Sequence, residues 1–170
     1  MPRPDLNRVP EFYHGYIKKV KEDDLLTAIR NCTSQLEKLL NSIPAEKLDF
    51  RYAEGKWTIK EVVQHMIDAE RVFTYRALRF ARKDATPLPG FDENSYTENS
   101  LTEQRQWNDL INEFLSLRKA SEILFASFNN DQLESEGIAS GHSIYVLGIG
   151  FICAGHVNHH CDILKERYLQ

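Results

Sequence analysis

The chain has 170 residues, 42% of them hydrophobic and 27% charged, with a net charge of -4, the balance of a globular domain long enough to bury a core. That charge offers nucleic acid no basic footprint, and no apolar run reaches the ~18–20 residues needed to span a bilayer. Met1–Asp5 has no apolar segment of the signal-peptide kind, so one cytoplasmic domain over 1–170 is expected, with neither membrane nor nucleic acid as partner. Cys32, Cys153 and Cys161 are odd in number and form no C-x-x-C pair, which argues against a disulfide framework.

Periodicity predicts helices over 21–43, 58–82, 101–128 and 143–168. The second has the clearest start, because Thr58-Ile59-Lys60-Glu61 reads as a capping box. Its apolar centre runs through Ile59, Met66, Glu70, Phe73 and Ala77, with His65, Ala69, Val72 and Arg76 along one flank. Glu70 therefore falls on the buried side and needs a cation or hydrogen-bond donors, which Arg76 or Arg167 could supply. Leu88-Pro89-Gly90-Phe91 is a turn signal within a long 83–100 connection. Ser100-Leu101-Thr102-Glu103 offers a second capping box, for the third helix. Strand signals are nearly absent. The expected fold class is all-α: a four-helix bundle of up-down-down-up topology, with 83–100 as the long crossover between helices two and three.

The last helix carries Gly155-His156-Val157-Asn158-His159-His160. His156 and His160, four residues apart, share one face, and the helical repeat Ile149, Ile152, Cys153, His156, His160, Ile163, Leu164 sets that face in the apolar stripe. Two buried imidazoles need partners: backbone and carboxylate groups can serve, or one metal ion can satisfy both. Cys153 reads as a packed thiol more readily than as a ligand. His65 stands about 10 Å along its helix from Thr58, while His156 and His160 stand about 12–18 Å from the end of theirs. Antiparallel second and fourth helices would bring all three to one level.

At Tyr52–His65, Asp68-Ala69-Glu70-Arg71, Leu88–Asp92 and Gly155–His160 the sequence resembles the DinB-like family of metal-binding four-helix proteins, including its bacillithiol-transferase-like members. The resemblance implies one divalent transition metal, zinc or nickel, held by His65, His156 and His160, and a homodimer. His159, Glu70 and Arg76 would stand behind those ligands and support them. Three imidazoles leave a coordination position open.

The resemblance implies a transferase that activates a small-molecule thiol for attack on an electrophile. A metal-dependent hydrolase using metal-bound hydroxide is the alternative, with Asp68, one turn from His65, as its candidate base. A third reading is a non-catalytic metal-binding stress-response module.

Overall fold

A computed structural model describes all 170 residues. In chain order the elements are α1 (His14–Lys18), α2 (Leu25–Ser42), α3 (Ile59–Ala81), α4 (Glu93–Glu98), α5 (Trp107–Ala126), α6 (Asn130–Glu134), β1 (Glu136–Ala139), β2 (His142–Tyr145) and α7 (Val146–Ile163). A π-helical segment, Leu164–Tyr168, continues α7. The long helices α2, α3, α5 and α7 are the four of the bundle, with α7 and α5 each packed against both α2 and α3.

Side-chain contacts fix the directions. The Tyr168 hydroxyl, beyond the end of α7, donates to Trp57 O just before α3 at 2.7 Å, and Phe80, near the end of α3, lies against Gly137 of the hairpin that precedes α7. Helices α3 and α7 therefore run antiparallel. Along α3 and α5 the pairs Gln64–Arg105, Arg71–Glu113 and Arg82–Phe128 ascend together, so those two run in the same sense. Along α2 and α5 the pairs Arg30–Glu122 and Thr33–Arg118 run in opposite order, and α2 opposes α5.

The capping box at α3 forms as expected, with Thr58 Oγ1 accepting from Glu61 N and Glu61 Oε2 from Thr58 N. Helix α2 begins at Leu25 because Asp24 caps it, accepting from Thr27 N at 2.9 Å and from the Met1 ammonium at 2.7 Å. The expected box at Ser100–Glu103 does not form. Leu101 takes a left-handed backbone (φ 50), Thr102–Gln104 makes a 3-10 turn, and α5 starts only at Trp107. A second departure follows α6, where Glu136–Tyr145 forms an antiparallel hairpin instead of the start of the last helix. Ser140 (φ 51) and Gly141 (φ 79) are its two loop residues, the pair of positive φ angles that a type I′ turn requires. Leu88 bridges to the hairpin edge through Leu88 N→Ile138 O (2.9 Å) and Ser140 N→Leu88 O (3.0 Å). The 83–100 connection is thus stitched to the hairpin, and it folds α4 on its way.

The N-terminal segment, which periodicity left without structure, closes over the bundle. Its short α1 packs on α7 so closely that a Cβ at Gly155 would lie 2.1 Å from Tyr16 O. Only glycine at that point lets the two backbones meet.

Candidate metal centre

The seventh residue of α3 and two residues one turn apart on α7 meet at one level of the bundle. His65 Nε2 lies 3.1 Å from His156 Nε2, which lies 3.0 Å from His160 Nε2. Ligand atoms from all three fall within 4.8 Å of one another. His156 and His160 are buried and His65 is half-buried.

This arrangement is frustrated as a set of hydrogen bonds. Each neutral imidazole nitrogen carries either a hydrogen or a lone pair, so the His156 Nε2 can complete a good bond with only one of its two neighbours. A cation accepting three lone pairs satisfies all of them. Tetrahedral zinc at 2.0–2.1 Å would hold the nitrogens about 3.3–3.4 Å apart, a few tenths of an ångström wider than the spacing here. The donor set fits the group.

Protonation favours the same outcome. Burial holds the His65 imidazolium pKa down to about 4, and the neighbouring His159 pushes in the same direction. His156 and His160 are held well below the ordinary histidine range, first by burial and then by the other imidazoles. All three are neutral at pH 7, the state in which imidazole ligates.

Aromatic rings wall the cluster. The Trp57 ring lies 4.7 Å from His65, tilted by 39°, Tyr16 stands edge-on to His156 at 5.3 Å, and Phe73 stands edge-on to the same ring at 5.8 Å. The three imidazoles open onto a cavity of about 370 Å³ whose lining also includes Phe12, Tyr13, Phe91, Arg76 and Glu93, at the small end of the ~300–1,000 Å³ typical of small-molecule sites. Tyr13 and Tyr16 come from the N-terminal segment, and Glu93 from α4. Burial raises both phenols above their ordinary pKa.

The remaining candidate residues are distributed differently. His159 is half-buried beside the cluster, with Tyr16 at 5.1 Å and His160 at 5.0 Å, ring to ring. Asp68 does not line the cavity and accepts from Gln64 Nε2 at 3.0 Å. Its half-burial raises the carboxyl pKa against the pull of Gln64 and Arg71. Cys153 is fully enclosed, and burial pushes its thiol well above the ordinary range.

The expected partner of Glu70 needs correction. Neither Arg76 nor Arg167 reaches it; Arg118 of α5 does, at 2.5 Å, with both side chains buried. Arg118 also donates to Thr33 Oγ1, Ile29 O and Cys32 Sγ, so Glu70 belongs to a core network with no hydrogen bond to the histidines. Arg76 instead lines the cavity, its Nη2 donating to Pro89 O and Ser140 Oγ. Periodicity did not single out Arg118, since α5 has only a weak apolar face. The Pro10–Tyr16 aromatic cluster was a signal for the cavity wall that helical spacing cannot register.

Residues 28–164 match the DinB superfamily. In sequence the chain is similar to OB0413 of Oceanobacillus iheyensis (32% identical over 83 residues) and to YfiT of Bacillus subtilis (24% over 83 residues), both named as inferred metal-dependent hydrolases. Each match takes in under half of this chain (46% and 48%) and 47% and 46% of the relative, so the chain spans about half the length of the relatives it matches. In three dimensions it superposes on YfiT, whose fold is described as an unusual four-helix bundle topology (TM-score 0.75, 15% identity, 98% of this chain and 90% of that one). It also superposes on a mycothiol-dependent maleylpyruvate isomerase (TM-score 0.69, 14% identity, 81% of this chain and 58% of that one). At these identities the likeness is one of fold.

Proposed function

The chain belongs to the DinB superfamily, and on that footing we propose that it is a metal-dependent enzyme whose His65, His156 and His160 hold one divalent ion, zinc or nickel. The observation that carries this reading is the convergence of three neutral imidazole nitrogens that cannot satisfy one another. When bound, such an ion supplies Lewis acidity and makes the anion of a coordinated thiol or water accessible near neutral pH.

For the reaction we favour transfer of a small thiol to an electrophile. The thiol loses its proton to solvent water, its sulfur forms the new bond to carbon, and the leaving group departs with the electron pair of the broken bond. The cavity suits that chemistry, because thiolate attack asks for no strong base beside the site. Attack by water usually does, and Asp68 is outside the cavity lining, bonded to Gln64. The carboxylate that lines the cavity is Glu93, on the exposed α4. The names of the sequence relatives favour hydrolysis, with Glu93 as the base within reach of the cavity, and this is the second reading.

Metal analysis of untagged protein is the first test. About one divalent ion per chain is expected, lost for the most part in His65→Ala, His156→Ala and His160→Ala and retained in His14→Ala and His142→Ala. Full occupancy in His65→Ala would defeat the assignment. Conjugation of 1-chloro-2,4-dinitrobenzene with several biological thiols should then depend on both metal and thiol. Ester hydrolysis that needs the metal but no thiol would favour the hydrolase.

A further inference from the structure

Two arginines are buried in this fold, Arg76 and Arg118. Arg118 is neutralised by Glu70. Arg76 has no carboxylate within 4.0 Å, and its hydrogen bonds go to two neutral acceptors, Pro89 O and Ser140 Oγ, both from Nη2. Burying a guanidinium against neutral acceptors alone is unfavourable, and a cation so placed is a receptor for an anion. The side chain lines the same cavity as the histidines. Proline and hairpin turn hold its Nη2 edge, so Nε and Nη1 are left for another partner. The phenol of Tyr13 lies close enough to the guanidinium to feel its charge and to share a hydrogen bond with it, so it stands beside any ligand that Arg76 holds.

Arg76 lies eleven residues beyond His65 on α3, a rise of about 16 Å, and a helical side chain leans back towards the N-terminus, which leaves roughly 10 Å between guanidinium and imidazoles. A small molecule can bridge that span. With a divalent ion at one end, Arg76 at the other and only the exposed Glu93 in opposition, the cavity attracts anions.

We propose that Arg76 is the anion-binding residue of this cavity and that its substrate carries a carboxylate, seated on Arg76 while the reactive end faces His65, His156 and His160. The proposal rests on the reading above that the cavity is the substrate site. A carboxylate suits one arginine better than a phosphate dianion does: its single charge is matched by the single guanidinium through a charge-assisted hydrogen bond from Nε or Nη1, whereas a dianion would leave a second charge unmatched at that end of the cavity.

Calorimetric titration of the protein as purified tests this with 3-phenylpropionate, its neutral amide and phenyl phosphate. The carboxylate is expected to bind about 10–100-fold more tightly than the amide, the range of a charge-assisted hydrogen-bonded pair. Arg76→Gln should bring the two within about twofold, and Arg76→Lys should keep part of the difference because it keeps the charge on a shorter side chain without the guanidinium's bonds to Pro89 and Ser140. If Arg76→Gln does not fold, Arg76→Lys decides alone, and an undiminished preference in it counts against the proposal. In His156→Ala the preference should survive, which separates seating on Arg76 from direct ligation of the metal. A preference lost in His156→Ala overturns the proposal while leaving the metal reading intact. Equal affinity for carboxylate and amide, no binding of the carboxylate at millimolar concentration, or tighter binding of phenyl phosphate also overturns it. A protein that holds no metal yet shows the Arg76-dependent preference would overturn the metal reading alone.

Discussion

Replacing Arg118 with methionine should be among the most damaging single changes available to this fold. The guanidinium joins three helices at one level: from α5 it donates to Glu70 of α3 at 2.5 Å and to Thr33 Oγ1 and Cys32 Sγ of α2 at 2.9 Å each. Arg118 and Glu70 side chains are 0% and 3% exposed; Glu70 Oε2 accepts the Arg118 bond, and Glu70 Oε1 has no hydrogen-bond partner. Methionine fills most of the space, so the dominant cost is the carboxylate left charged and alone in the core, about 3–5 kcal/mol. For a chain of this length that corresponds to a melting point roughly 6–20 °C lower. Urea unfolding at pH 7 measures it. Acidification should return part of the loss, because protonation removes the stranded charge. The double variant Arg118→Met/Glu70→Leu removes both charges and should recover most of the stability, giving a large coupling energy in the double-mutant cycle. A single variant within about 1 kcal/mol of wild type, or a double variant as unstable as the sum of the singles, would refute this account of the core.

Removing metal should expose a pH dependence. Burial holds His65 near a pKa of about 4, and His156 and His160 well below the ordinary range, whereas the unfolded chain takes up these protons near pH ~6.5. The folded pKa values are depressed, so chelated protein should be fully stable above pH ~6.5 and lose up to about 1.4 kcal/mol per histidine for each unit below it. Urea titrations at pH 7.5 and 5.5 check the sign, and stability that is flat or rising on acidification would contradict it. Gly155→Ala should cost about 1–3 kcal/mol or more by overpacking, since its Cβ would meet Tyr16 O at 2.1 Å and Tyr16 C at 2.4 Å, backbone that can yield only if α1 moves. A crystal structure with α1 unmoved and stability unchanged would show that the approach is looser than described.

The histidine face of α7 and the start of α3 were legible because both obey local rules: i, i+4 spacing in an apolar stripe, and a hydroxyl three residues before a glutamate. His65 was not legible that way. It stands on the flank of its helix, and only the crossing of α3 over α7 turns that flank inward. The false box at Ser100–Glu103 had the right residue types, but Leu101 leaves the helical basin and the chain turns before α5 begins. The hairpin escaped because each strand has four residues, too short for alternation to declare itself, although Ser140-Gly141 was a turn signal. Arg118 escaped for a different reason. Its burial depends on a carboxylate 48 residues away, and pairings at that range have no local signature.

The cavity has two kinds of wall. The imidazoles and Arg76 stand on α3 and α7, helices locked into the bundle core, whereas Tyr13, Tyr16, Phe91 and Glu93 hang on short segments outside it. Those segments are packed onto the bundle from outside, by Leu88 on the hairpin, by Gly155 beneath Tyr16 and by Lys19 on Asp162. Selection can therefore redraw the outline of the chamber, residue by residue, without touching the atoms that would carry out the reaction. A chain built this way is a durable socket with an exchangeable faceplate, and relatives that keep the bundle and the histidines can accept different molecules.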